Sequence, residues 1–333
     1  MPVALDILGG DHAPGEILEG VAWALEAGFP AEKLLLVGPE TCIRASLGRA
    51  GIRDLPEVIH TEEVVAASEP PVEALRRKPR ASVNLCIQAV RTGKASGMVS
   101  FGNTGAAVAA AALGLGLLPG IRRPGIAVIL KGVGGPFVLL DAGANPNSKP
   151  AHLLQYGVMG AAYARHGLEI PQPRVGLLNI GGEARKGTLM ARKAHELLED
   201  SGLDFVGNVE GIDLFSGKAE VLVTDGMVGN MVLKVVEGFS EYLVREIDRT
   251  GREAQADMRE AFRQLLGAAD YAEVGGAILL GLRGVVIIGH GRSEARAVLP
   301  ALRRALHDSE IGLAEKVTRI GTPDLDQDRE TQA

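Results

Sequence analysis

The sequence predicts an α/β fold, a largely parallel sheet with helices on both faces. Short, nearly continuous Val/Ile/Leu runs alternate with amphipathic stretches along the chain. Strands apolar on both sides are the ones that helices bury in parallel sheets. The 44 glycines beside only 4% aromatic residues suit tight turns and close helix–sheet approaches better than a β-sandwich. With 333 residues, 46% of them hydrophobic, the chain has enough apolar material for one large or two ordinary domains.

The first strand is expected over residues 3–8. It runs into Asp6-Ile-Leu-Gly-Gly-Asp11-His12, two carboxylates around the pair Gly9-Gly10. Either this is a turn whose aspartate caps a helix near Pro14, or the glycine backbone approaches a ligand between Asp6 and Asp11. A second strand is expected over 33–37. The dense basic run Arg76, Arg77, Lys78 and Arg80 follows. It reads as a solvated helix end or as a patch that receives an acidic partner or phosphate. A strand over 98–100 then leads to Gly102-Asn103-Thr104-Gly105 and an Ala-rich stretch reaching Ile121. At that composition, with Pro119 inside it, a buried helix is favoured over a membrane span. Asn103 and Thr104 are either a plain N-cap or, with Gly105, an anion site on a helix N-terminus.

Strands over 126–130 and 137–140 precede Asp141-Ala-Gly-Ala-Asn145. The strand over 175–178 enters Asn179-Ile-Gly-Gly-Glu-Ala-Arg-Lys-Gly-Thr188, and a helical pattern begins near Leu189. Gly181 and Gly182 let backbone N–H groups approach an anion, the helix N-terminus adds positive dipole, and Lys186 adds a mobile charge beside Glu183. The loop reads as a phosphate or oxyanion cradle. Its order is not the Gly-x-x-x-x-Gly-Lys-Ser/Thr of a nucleotide P-loop, which argues against an ordinary ATPase or kinase. After a strand over 221–224, Asp225-Gly-Met-Val-Gly-Asn230 repeats the sequence of strand-end aspartate, glycine and asparagine. Because ligands lie beyond the carboxyl ends of parallel strands, these signatures are expected to line one cleft.

Toward the end, Met258, Phe262, Leu265 and Leu266 recur at helical spacing, a stripe for core or dimer packing or for a membrane surface. The glycines within 271–284 suggest tight helix packing before a strand over 285–288. His290, just after that strand, is a ligand contact or a structural hydrogen-bonding group. The polar stretch 322–333 is expected to be a disordered tail.

A net charge of -6 argues against nucleic acid as the main partner. Cys42 and Cys86 lie far apart in predicted helices, with no CxxC pair or clustered histidines, so no metal site or disulfide is expected and a reducing cytosol fits. The N-terminus enters a strand without a basic region, so no secretory signal is expected. No Gly-x-Ser-x-Gly elbow, HExxH or dinucleotide fingerprint stands in a suitable context, which disfavours hydrolase, zincin and standard dehydrogenase chemistry.

Residues 6–11, 100–106, 141–145, 178–187, 207–213, 225–230 and 271–291 resemble, in order, the bacterial PlsX family of phosphate acyltransferases. The departures are apolar: Leu8 for a usual methionine, Phe101 for alanine and Met227 for phenylalanine. The resemblance implies a Rossmann-like three-layer α/β/α fold, similar to phosphotransacetylases and isocitrate dehydrogenases, as one domain over 1–321 with two lobes flanking the cleft. It implies transfer of a long-chain acyl group from acyl carrier protein to inorganic phosphate, without cofactor or covalent enzyme intermediate. It also implies a cytoplasmic homodimer that associates peripherally with the membrane and supplies a membrane glycerol-3-phosphate acyltransferase.

On this reading, Lys186 and the Gly181-Gly182 backbone stabilise charge, and Asn103 and Thr104 bond phosphate. Asn145 and Asn230 orient substrates, while Asp225 orients them or manages the thiol proton. Carrier protein docks on the run Arg76–Arg80 or on Arg122-Arg123. The competing expectations are a coenzyme A-dependent phosphotransacylase, a nicotinamide dehydrogenase on the related fold, and a non-catalytic membrane scaffold for lipid synthesis.

Overall fold

The computed structural model describes residues 1–66, 68–249 and 275–319. Its strands are β1 Val3–Asp6, β2 Leu34–Gly38, β3 Glu57–His60, β4 Gly97–Ser100, β5 Gly125–Gly132 and β6 Gly135–Leu140. They continue with β7 Val175–Asn179, β8 Phe205–Glu210, β9 Val221–Val223, β10 Ala277–Leu280 and β11 Val285–Ile288. The helices are α1 Gly15–Glu26, α2 Glu40–Arg49, α3 Pro71–Arg77, α4 Ser82–Arg91 and α5 Thr104–Gly114. After them come α6 Pro150–Gly167, α7 Leu189–Glu199, α8 Gly226–Arg249, α9 Val298–Glu310 and α10 Leu313–Arg319.

Contacts group the chain into two compact units, one from Met1–Leu117 with Tyr271–Ala314 and one from Leu118–Asp270 with Glu315–Ala333. In the first unit the strand order is β3-β2-β1-β4-β11-β10, parallel except for the antiparallel pair β10/β11. The chain moves outward from β1 to β2 and β3, then returns to place β4 on the other side of β1. This reversal makes the β1/β4 boundary a topological switch point, where parallel sheets open a crevice at their carboxyl ends. Val3, Ala4 and Leu5 of β1 are fully buried, as a central strand covered on both faces requires.

The second unit has the order β5-β6-β9-β7-β8, antiparallel only at the β5/β6 hairpin. Helix α6 is buried continuously from Ala151 to Ala164, so it is apolar all round instead of carrying a single stripe. The polar exceptions are satisfied: Gln155 accepts the Arg122 N–H at 3.0 Å and donates to the Gly120 carbonyl at 2.6 Å, and His152 Nδ1 accepts the Lys149 N–H at 3.1 Å. Each large aliphatic side chain taken fully out of water here contributes about 1.5–3 kcal/mol.

The expected strands all form, with ends shifted by a few residues. β1 stops at Asp6 because Leu8 N–H turns back onto the Asp6 carboxylate at 3.1 Å. β3, β8 and β10 were not among the expected strands. The stretch 271–284 is not tight helix packing where described: Ala277–Leu280 is a strand, held between Gly275, Gly276 and Gly281 at φ 78°, 102° and 91°. Glycines in that region of backbone space end a helix rather than continue it. Nor does an aspartate cap α1. Its N-cap is Pro14, with no side-chain cap, and the Asp11 N–H donates to the Gly291 carbonyl at 2.7 Å. Met258, Phe262, Leu265, Leu266 and the tail 322–333 lie outside the described residues. Among the described residues, no helix is long and apolar enough to cross a membrane.

Candidate active site

Each unit gathers polar groups at the carboxyl ends of its own strands. In the first, the ends of β1, β4 and β11 meet. Ser100 Oγ donates to Asp6 Oδ2 at 2.7 Å and accepts the Gly102 N–H at 3.2 Å. Burial pushes the Asp6 carboxyl above its usual range, against these hydrogen bonds. Gly9 packs on this knot: a Cβ there would stand 2.7 Å from both Asp6 Oδ2 and the Gly102 nitrogen, so no larger residue fits. Gly10 and Asp11 continue toward Gly291. His290 Nδ1 accepts the Arg292 N–H at 3.2 Å, a turn-forming bond at the end of β11.

Asn103 is the N-cap of α5, accepting the Ala106 N–H at 3.0 Å and donating to the Ala66 carbonyl at 3.2 Å. Thr104 and Gly105, in the first turn, stay exposed.

In the second unit Asp141 is a hub. Its Oδ1 accepts N–H groups of Ile126, Gly143 and Ala144 at 2.9–3.0 Å, and its Oδ2 accepts the Asn145 N–H at 2.7 Å. Burial still pushes this carboxyl upward. Asn145 Nδ2 faces the Pro124 carbonyl at 2.6 Å, Tyr156 Oη at 2.8 Å and Asp141 Oδ2 at 3.2 Å, so the amide braces the loop. Burial and the nearby Asp141 charge push the Tyr156 phenol up, keeping it neutral. Helix α8 starts against this hub. A Cβ on Gly229 would come within 1.9 Å of the Asp141 carbonyl oxygen, and exposed Asn230 lies alongside Gly143. Asp225 Oδ1 caps α8 by accepting the Met227 and Val228 N–H groups, both at 3.0 Å.

The loop after β7 keeps the expected strand, glycine, helix order. Thr188 caps α7 by accepting the Ala191 N–H at 3.2 Å, and Lys186 stands just before it. Lys186 reaches Glu183 only at 3.9 Å, with both side chains largely exposed. Such a pair is worth about 0–1 kcal/mol, so an arriving anion can take the ammonium. The neighbouring strand holds the loop from behind. Asn208 Nδ2 donates to the Glu183 carbonyl at 2.7 Å, and buried His195 Nδ1 lies 3.1 Å from Asn208 Oδ1. Sequence reasoning assigned no role to Asn208 or His195; an asparagine interrupting the apolar pattern of β8 is the signal that points to one.

Below this loop lies a cavity of about 490 Å³. Leu153, Leu177, Leu178, Met190, Ala191, Val228 and Val232 make it mostly apolar, while Asn179, Thr188, Thr224 and Asp225 are its polar groups. Lys186, Asp225, Asp141, Asn145 and Asn230 thus belong to the edge of one unit, and Asp6, Asp11, Asn103, Thr104 and His290 to that of the other. Among the described residues, no group of three or more His, Cys, Asp or Glu could hold a metal.

The fatty acid synthesis protein family matches residues 1–316. The chain belongs to this family. The phosphate acyltransferase of Pelotomaculum thermopropionicum is 45% identical over 323 residues, covering 95% of this chain and 94% of that protein. The phosphate acyltransferase of Myxococcus xanthus is 44% identical over 330 residues, covering 96% and 93%. Both relatives are phosphate acyltransferases, and the chain is an acyltransferase. Among solved structures, EutD phosphotransacetylase from Staphylococcus aureus aligns with TM-score 0.61 at 15% identity, over 92% of this chain and 94% of that one. A phosphotransacetylase from Streptococcus pyogenes also gives 0.61, at 18% identity over 96% and 94%. A 4-hydroxythreonine-4-phosphate dehydrogenase from Klebsiella pneumoniae gives 0.54 at 12% identity, over 92% and 99%. These likenesses establish the expected fold class.

Proposed function

We propose that the enzyme transfers a long-chain acyl group from acyl carrier protein to inorganic phosphate by direct attack on the thioester, yielding acyl phosphate for phospholipid synthesis. The observation that carries this reading is the loop of Lys186, uncommitted to a strong partner and opening the α7 N-terminus beside an apolar cavity. Phosphate is itself the nucleophile, so the protein's task is to position it and stabilise the tetrahedral oxyanion. Lys186 with the Gly181-Gly182 backbone stabilises charge, Asn230 and Asn145 shape the neighbouring edge, and Asp225 orients the reacting groups or takes the thiol's proton traffic. Thr104 and Gly105, exposed at the α5 N-terminus of the first unit, are a separate candidate anion-binding element.

Acyl carrier protein is acidic and is assigned to exposed Arg76 and Arg77. Lys78 is a weaker candidate because its ammonium is held by Glu69 at 2.6 Å and the Val64 carbonyl at 2.9 Å; Arg80 bonds the His60 carbonyl at 3.0 Å. A homodimer is assigned to α8, where Met227, Met231, Val235, Phe239 and Tyr242 form an exposed apolar stripe at helical spacing. Cytoplasmic placement, peripheral membrane contact and delivery to a membrane glycerol-3-phosphate acyltransferase complete the reading.

The test is competition between palmitoyl-acyl carrier protein and palmitoyl-coenzyme A at limiting enzyme, with the charge-reversal pair Arg76→Glu/Arg77→Glu alongside. The reading predicts preference for the carrier protein and a raised, less salt-sensitive KM in the pair. Equal or better use of coenzyme A, with the pair unaffected, would favour the coenzyme A-dependent phosphotransacylase.

A further inference from the structure

The apolar cavity beneath the Lys186 loop is far more hydrophobic than phosphate chemistry requires. Its walls come from α6 and β7 through Leu153 and Leu177, from α7 through Met190 and Ala191, and from α8 through Val228 and Val232. Its polar groups are strand-end and helix-cap residues, including Thr188 and Asp225. The α7 N-terminus, capped by the neutral Thr188 hydroxyl, opens at the polar end, where partial positive charge favours a phosphate or a developing oxyanion, while the α8 N-terminus there is met by the Asp225 carboxylate. A ligand that fits must be anionic or strongly polar at one end and a slender hydrocarbon at the other. The peptide-like arm of a thioester carrier fits poorly, because its amides would lose water against aliphatic walls without gaining partners. The volume of about 490 Å³ lies within the range of ligand sites, about 300–1,000 Å³.

We propose that this cavity holds the acyl chain, with the reacting carboxyl carbon at the Asp225–Thr188 end, and that Val232 sets the length of chain accepted. The inference rests on the acyl-transfer reading above. Val228 and Val232 are one helical turn apart on α8, so successive positions mark increasing depth from the Asp225 cap, about 1.5 Å per residue. A larger side chain at Val232 shortens the bore, and a smaller one lengthens it.

The test uses hexyl to octadecyl phosphates, which are stable single-chain mimics of an acyl phosphate. Calorimetry with the full chain measures affinity against chain length for the wild type, Val232→Phe and Val232→Ala, each checked for folding by thermal melt. Affinity should rise about fourfold per methylene until the bore is filled. The plateau should arrive at a shorter chain in Val232→Phe and a longer one in Val232→Ala. If Val232→Phe does not fold, the shift in Val232→Ala alone decides. The same length dependence in wild type and folded variants overturns the assignment. Turnover on phosphate with no shift of the plateau would keep the reaction and discard the cavity. Shifted plateaus in a protein that does not acylate phosphate would keep the chain site and discard the reaction.

Discussion

Asn208 Nδ2 donates to the Glu183 carbonyl oxygen at 2.7 Å, and that same oxygen accepts the Lys186 N–H at 3.0 Å. One strand residue thereby pins the turn that carries the candidate catalytic lysine. His195 Nδ1 faces Asn208 Oδ1 from behind, its ring edge-on to Phe205 with centroids 5.0 Å apart. The chain from Phe205 to Lys186 lies in one unit and couples a half-buried edge strand to an exposed loop.

Asn208→Ala should leave the His195 ring nitrogen buried without its partner and free the 183–186 turn. A stability loss of about 1–3 kcal/mol is expected in urea unfolding. Turnover should fall about tenfold, more in kcat than in KM, which corresponds to roughly 1.4 kcal/mol of barrier. Measured on top of Lys186→Ala, the same substitution should add little, because both act through one group.

Gly229→Ala should be severe. The added Cβ meets the Asp141 carbonyl oxygen at 1.9 Å, a backbone atom that cannot swing away. Relieving the clash means moving α8 from the Asp141 hub, and a loss of about 3 kcal/mol is expected by chemical denaturation. Gly238→Ala on the same helix, with open space around it, should be neutral or stabilising.

Asp141→Asn keeps the shape but turns an acceptor into a donor facing the Asn145 N–H groups. At neutral pH it should cost about 2 kcal/mol. It should also remove a pH slope. Because burial raises the folded-state value of Asp141, its contribution is most favourable below the unfolded value of 3.8 and declines as pH rises through the folded one. Urea midpoints of wild type and variant across pH 3–8, roughly the carboxylate range, report the difference.

Arg174 and Glu220 give the opposite slope. Burial acts to raise the Glu220 carboxyl, but the Arg174 guanidinium and backbone N–H hold it below 4.5. That stability is fully present above the unfolded value and lost as pH falls through the lower folded one. Arg174 is partly exposed, so Glu220→Gln should cost only about 0–1 kcal/mol at neutral pH and flatten the acid side of the profile.

The β7–loop–α7 segment was legible because each part carries its own local signal: an apolar run, paired glycines, then Thr188 as cap. β8 was hidden by Gly207 at φ 86° and Asn208, which break the apolar run and accompany a register shift between Val175 and Leu177. β10 is four apolar residues long, too short for periodicity to separate strand from helix. Asn103 read equally well as a cap or a ligand group and Asp225 as a strand-end turn or a ligand group, and the structure uses both as caps. The bracing of Asn145 was invisible, since Pro124 and Tyr156 lie 21 and 11 residues away.

A rapid-quench experiment with enzyme in excess over palmitoyl-acyl carrier protein, with and without phosphate, can follow free carrier thiol and hydroxylamine-reactive acyl phosphate together. Direct attack supported by Lys186 predicts that thiol and acyl phosphate appear together, only with phosphate, and about a hundredfold or more slowly in Lys186→Ala. A stoichiometric burst of thiol without phosphate, or an unchanged rate in folded Lys186→Ala, would contradict it.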